Sequence, residues 1–341
     1  MDDLQLLRTT RNDRGTVAPA VLARGRERLM KAAAAETSYG KHPGGSTART
    51  RRPWRRALLA TAAAAAVAAA FVVVDVAGPG DRPGATAEAA QVLSTAAETT
   101  IQTADLVPAP GQYLKIQSTN IWSSMADTEE GQFEWLDTEY STIYIPANRE
   151  EEWVWERSGR IPTTFFNESS RQYASGMPRE EAYVLRGNNG AFYDSDPAQS
   201  SFPSEDALAA FPRNPGELLN EIRRQTEGQG QSEDGQALVF IADLLRTGMV
   251  PADLRAALYQ AAALIPGVTI TEEQATLNGK RGIAIGRVET ASNQRQDIII
   301  DPATGLLIGE RQVLMEPQGS IPAGTATTWT AIETTISETA P

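Results

Sequence analysis

The sequence predicts an α+β architecture: short cytoplasmic helices, one transmembrane helix, and an extracytoplasmic curved antiparallel sheet, half-barrel-like, packed with several helices. Three observations predict it: one uncharged apolar run, a reversal of charge across that run, and a change from helical to strand periodicity beyond it. Ala57 to Val74 reads ALLATAAAAAVAAAFVVV, with no charge and Thr61 as its only polar side chain. At about 1.5 Å per residue this run makes a helix of roughly 27 Å, close to the hydrocarbon thickness of a bilayer. Arg49, Arg51, Arg52, Arg55 and Arg56 precede it, whereas Asp75, Asp81 and Glu88 follow it. The positive-inside rule then puts the N-terminus in the cytoplasm and the larger part of the chain outside the cell membrane. A buried soluble helix would usually carry a polar face. A cleaved signal peptide ending near Ala85-Thr86-Ala87 would need a basic leader far longer than such peptides have.

The domain boundaries follow from these marks. Residues 1–37 form a cytoplasmic amphipathic helical segment, 38–56 a basic flexible juxtamembrane tether, 57–77 the transmembrane helix, 78–84 a linker, and 85–341 the extracytoplasmic domain. In the first segment Val21, Leu22, Leu29 and Met30 alternate with Arg24, Arg26, Glu27, Arg28 and Lys31, and Pro19 suits a first helical turn. The tether SYGKHPGGSTARTRRP has no apolar period.

Charge divides along the same line. Residues 1–56 hold 13 Lys and Arg against 5 Asp and Glu, a net +8, and the remainder holds 18 against 38, a net −20. The basic segment is drawn to anionic headgroups, and the acidic domain would repel phosphate, so the bilayer is a partner and nucleic acid is not. With no cysteine and His42 the only histidine, zinc sites of the Cys/His type, thiol catalysis and histidine triads are excluded. The expectation is a protein that is not an enzyme and has no catalytic, cofactor or metal residues.

Within the outer domain, Ala85 to Ala104 places Ala90, Leu93, Ala97 and Ile101 at helical spacing. Gly111 to Trp122, Tyr140 to Pro146 and Glu151 to Arg157 then read as strands, and Asn188-Asn189-Gly190 reads as a hairpin turn between AYVLR and AFY. Three helices are predicted at Pro215–Arg224, Gln236–Arg246 and Ala252–Ile265, with Thr247-Gly248 and Pro266-Gly267 as stops. The strands resume at Val268–Glu272, turn at Asn278-Gly279, and continue through Gly282–Glu289, Gln296–Ile300, Leu306–Leu314 and Thr327–Ile336.

Several motifs have bland readings. Ser38 and Lys41 have the spacing of serine acyltransferases but lie in the tether. Asn167-Glu168-Ser169 is a sequon-like loop, and the acidic groups around Asp127, Glu151 and Asp194 are solvated charge. The aromatic residues are the sharper candidates. Trp153 and Trp155 share a face of one strand, and Trp122, Trp135 and Tyr144 come from neighbouring segments. A curved sheet so lined can hold an acyl chain or apolar peptide, and the alternative is packing of that face against the three helices.

The opening MDDLQLLR, the helix AVLARGRERLM, the juxtamembrane RRPWRR, the segment FIADLLRTGMVPADLRAALYQAAALIPGV and the hairpin DPATGLLIGERQVL resemble an uncharacterised actinobacterial family of single-pass membrane proteins associated with extracytoplasmic-function sigma factors. The D-P-x-T-G hairpin also resembles one in lipoprotein-carrier and sigma-regulator sensor domains, whose half-barrel sheets cradle helices and hydrophobic ligands. The first resemblance implies an outer sensor or binding domain joined to a cytoplasmic segment that regulates a sigma factor through Leu4, Leu6, Leu7, Val21, Leu22 and Leu29. Residues 1–37 depart from the usual anti-sigma domain in being shorter and in lacking its zinc-type His and Cys pattern. The competing reading is a membrane-tethered binder or carrier of lipid, lipoprotein or another hydrophobic ligand, with residues 1–56 as anchor.

Overall fold

The computed structural model describes residues 84–194 and 202–341. The predicted cytoplasmic segment, tether and membrane run lie outside the described residues, as do Leu4, Leu6, Leu7, Val21, Leu22 and Leu29. Among the described residues no helix is long and apolar enough to cross a membrane.

Helix α1 (Ala87–Gln102) opens the domain, capped by the Thr86 hydroxyl. A long hairpin follows, β1 (Tyr113–Thr128) and β2 (Gly131–Pro146). It is nearly twice the length expected from sequence, because Ser123, Ser124, Asp137 and Glu139 break the apolar alternation while pairing continues in perfect register from Tyr113–Pro146 to Thr128–Gly131. Strands β3 (Glu152–Arg157) and β4 (Ile161–Phe165) pair with successive stretches of β2. Helix α2 (Glu168–Ser175) was read as loop. Asn167 caps it by accepting from the Ser170 amide at 2.7 Å, so the sequon-like triplet is a helix start.

Strand β5 (Tyr183–Asn188) pairs with β3 at the sheet edge. The turn at Asn189 and Gly190, both at positive φ, is where the sequence placed it. The expected return strand is instead a 3₁₀ turn, Phe192–Asp194, because Phe192 enters the core, at 4% exposure, and so cannot run on along the sheet edge. Four helices follow: α3 (Glu205–Ala210), α4 (Pro215–Gln225), α5 (Glu233–Leu245) and α6 (Ala252–Ala263). Ser204, Asn214 and Ser232 cap the first three through their side chains, and Pro215 occupies the first turn of α4. Strands β6 (Thr269–Leu277), β7 (Lys280–Glu289), β8 (Gln294–Ile300), β9 (Leu307–Leu314) and β10 (Ala326–Ser337) complete the chain. Asn278 and Gly279, both at positive φ, turn β6 into β7.

The sheet has ten antiparallel strands in the order β5-β3-β2-β1-β10-β9-β8-β7-β6, with β4 beside β2. Register divides its faces. Leu114, Ile116, Ile143, Ile145, Trp153, Ile285, Ile298 and Ile300 share one face and belong to the main core with the helices. Helix α6 is apolar almost all round, with Leu254, Leu258, Tyr259 and Ala262 fully buried, as befits a helix at the centre of a core. Each such leucine contributes about 1.5–3 kcal/mol through burial. A smaller cluster, Phe133, Trp135 and Ala174, lies under α2 farther along the same face.

Between these two apolar regions the helix-bearing face carries a polar band. Register aligns Asp137 and Glu139 of β2, Asn120 of β1, Thr330 of β10, Glu310 and Gln312 of β9, and Gln296 of β8. Asp137 accepts hydrogen bonds from Ser124 and Trp135, and the two glutamates of the band are paired with arginines. Arg157 donates from Nε and Nη2 to both Glu139 oxygens, and Arg246 lies 3.2 Å from Glu310. Burial raises the Glu310 carboxyl to about 7 despite Arg246, and Gln296 donates to its other oxygen at 2.8 Å.

Candidate functional site

The predicted aromatic residues occupy three settings. Trp153 is 2% exposed, donates from Nε1 to the Arg149 carbonyl at 2.8 Å and packs edge-on to Phe202. Trp155 is half-buried between Phe192 and Phe202, with centroids at 5.2 and 5.7 Å, and its Nε1 donates to Ser141. Arg157 lies over its outer edge at 4.8 Å. Trp122 and Trp135 lie at the other end of the same face. Trp135 packs with Tyr173 and bonds Asp137, whereas Trp122 sits beneath the Arg160 guanidinium, its indole N–H buried without a protein partner. Tyr144 alternates onto the opposite face of β2, beside Tyr113 and within 3.2 Å of Glu156. The structure therefore brings Trp153 and Trp155 together, and the phenyl rings of Phe192 and Phe202 fill the space beside them.

An open cavity of about 410 Å³ lies elsewhere on the helix-bearing side. Its walls come mainly from three connections far apart in sequence, the α1–β1 loop, the α5–α6 loop and the β8–β9 turn, and the β2–β3 loop adds Arg149. Each is held by a local device. In the β8–β9 turn, Asp301 accepts from Ala303 and Thr304, and the turn docks on the helices through Tyr259 Oη donating to the Gly305 carbonyl at 2.9 Å and Thr103 donating to the Thr304 carbonyl at 2.8 Å. Gly305 has φ +67°, and a Cβ there would lie 2.7 Å from the Thr100 nitrogen. The α5–α6 loop lies on the sheet through Gly248, also at φ +67°, where a Cβ would crowd Thr334 and Ile116.

The third wall is fixed by an exchange of caps. Proline at position 251 gives α6 no side-chain cap, and Asp105 of the α1–β1 loop supplies the acceptor for the Ala252 amide at 2.9 Å. The other Asp105 oxygen pairs with Arg255 Nη1 at 2.8 Å. Arg255 also donates from Nε to Thr100 and from Nη1 to the Val250 carbonyl. Its Nη2 is buried and has no partner in the protein. Arg149, which pairs through Nε with Glu205, also lines the cavity, and its Nη1 is a second buried nitrogen without a partner.

Leu114, Leu245, Met249 and Leu307 make an aliphatic inner wall, Leu106, Val107 and Leu306 are exposed at the mouth, and Lys280, Asp301, Thr304, Glu333 and Thr334 add polar side chains. Val107 is 79% exposed, which an apolar residue in an ordered loop does not gain from. Arg149, Arg255 and Lys280 balance Asp105, Asp301 and Glu333, so the lining carries no net charge. The chemistry on offer is a partly apolar cavity with two arginines in its lining, suited to an aliphatic chain that ends in an oxygen acceptor.

Neither a protein-family model nor a curated protein matches the chain. Among solved structures, the Pseudomonas aeruginosa MucA/MucB complex aligns at 9% identity and a TM-score of 0.26, over 73% of this chain and 57% of that one. A LolA-superfamily protein from Nitrosomonas europaea aligns at 7% identity and 0.18, over 73% and 92% of the two chains. A DUF1329 family protein from Desulfovibrio piger aligns at 9% and 0.18, over 72% and 92%. The chain thus spans a little over half the length of the first of these, and the likeness to all three is distant.

Proposed function

We propose that residues 85–341 are the extracytoplasmic binding domain of a single-pass membrane protein, and that its ligand is an acyl chain with an oxygen-bearing head, seated in the cavity between α1, the α5–α6 loop and the β8–β9 turn. The observation that carries this reading is a largely aliphatic inner wall with Arg149 and Arg255 in its lining, each holding one buried guanidinium nitrogen without a partner. A buried donor left unsatisfied costs about 1–3 kcal/mol, which a carboxylate or ester oxygen would recover on binding. The buried carboxylates Glu139 and Glu310 each lie against an arginine, an arrangement that supports binding over catalysis. On this reading the run 57–77 anchors the domain and the amphipathic segment 1–37 carries the signal to a cytoplasmic partner, for which a sigma factor is the proposal.

The test uses the full-length chain in lipid nanodiscs with a fluorescent hexadecanoic acid. Arg255→Lys keeps the charge and loses the planar fork, and is expected to weaken binding about tenfold. Val107→Asp, at an exposed position that the fold does not need, is expected to weaken it further. Unchanged affinity in both variants would reject the site.

A further inference from the structure

A second recess lies on the same side of the domain, between the amino-terminal half of α5 and strands β8 and β9, with a volume of about 140 Å³. That is well above the roughly 10–15 Å³ that admits one water. Its lining is unusual in composition: Gln231, Gln236, Gln294, Gln296 and Gln312 surround it, and Val239 gives it one apolar wall. The charges at its rim are already engaged. Arg287 donates to Glu289 at 2.9 Å and to the Pro266 carbonyl at 3.0 Å, and Ser232 donates to Glu289. Gln296 spends its amide N–H on Glu310, which leaves its carbonyl oxygen buried with no partner in the protein.

We infer that this glutamine-lined recess is a binding site for a neutral saccharide, with one pyranose ring as the bound unit. Three physical points select that class. Amides offer donors and acceptors side by side, which matches adjacent ring hydroxyls, and five glutamines line the recess. A charged ligand finds no free counter-ion, because Arg287 and Glu289 satisfy each other. A peptide strand finds no edge, because β8 and β9 are interior strands with both sides paired. Val239 is placed to meet the apolar C–H face that a pyranose presents opposite its hydroxyls. The site is separate from the acyl cavity and shares none of its lining residues.

Equilibrium dialysis of the full-length chain against labelled β-1,4-linked tetrasaccharides of glucose and of N-acetylglucosamine tests this. At least one probe is expected to bind the unmodified protein. Gln312→Ala, a half-buried position outside the main core, should weaken that binding about tenfold. Val239→Trp, which fills the recess, should abolish it, and Val107→Asp in the acyl cavity should leave it unchanged. Absence of binding for both probes, or equal binding by the Gln312→Ala variant, would overturn the inference whatever the fate of the Val239→Trp fold.

Discussion

The aromatic cluster around Trp153 and Trp155 and the aliphatic cavity around Arg149 and Arg255 lie on one side of one sheet, yet they are opposites in what they leave unfinished. In the first, both indole N–H groups have acceptors, and Phe192 and Phe202 occupy the space between the rings. In the second, two guanidinium nitrogens lack partners, space remains, and Leu106, Val107 and Leu306 face solvent. Aromatic content marks where a protein invests in packing. Unsatisfied donors beside empty apolar volume mark where it waits for something else.

The largest test of this contrast is Trp153→Ala. Removing a fully packed indole should cost about 3–5 kcal/mol in urea unfolding while the folded protein keeps its affinity for hexadecanoic acid. Lost affinity at unchanged stability would exchange the roles of the two regions. Next in size is the polar band that separates the apolar regions. Burial raises the Glu310 carboxyl from its usual range to about 7, so the native state holds a proton that the unfolded chain has released. The stability this group confers is present below about pH 4.5 and is lost as pH rises through 7, a change of about 3 kcal/mol. Glu310→Gln should flatten that slope and raise stability at pH 8, as read by urea unfolding across the range. An unaltered slope would mean that another group titrates. Smallest is Gly248→Ala, which places a Cβ at φ +67° against Thr334 and should cost about 1–2 kcal/mol while disturbing the acyl cavity and not the aromatic cluster. Equal fluorescence from Trp155 and weaker fatty-acid binding would be its signature.

The fold was legible wherever local chemistry was decisive. The α1 helix, the helices of 215–263, the Asn278-Gly279 turn and the β8–β9 hairpin were all marked by periodicity, caps or turn residues. The distal halves of β1 and β2 were not, because Asp137 and Glu139 are buried charges that a strand pattern does not anticipate, and Glu139 is tolerated through Arg157, with Arg160 4.0 Å away. The short helices α2 and α3 were hidden for a different reason: each is under three turns long and depends on its Asn167 or Ser204 cap. The acyl cavity could not be read from sequence. Asp105 and Arg255 meet across a separation of 150 positions, and nothing in either neighbourhood announces the other. A proline at the start of α6, which needs a cap from elsewhere, was the one available hint.

The most direct measurement is photolabelling of the full-length chain with a diazirine-bearing hexadecanoic acid, followed by peptide mapping. The account predicts label on residues 104–107, 248–251 and 304–307, reduced in the Arg255→Lys variant. Label concentrated on Trp153, Trp155, Phe192 and Phe202 would contradict it, and would return the binding function to the aromatic cluster.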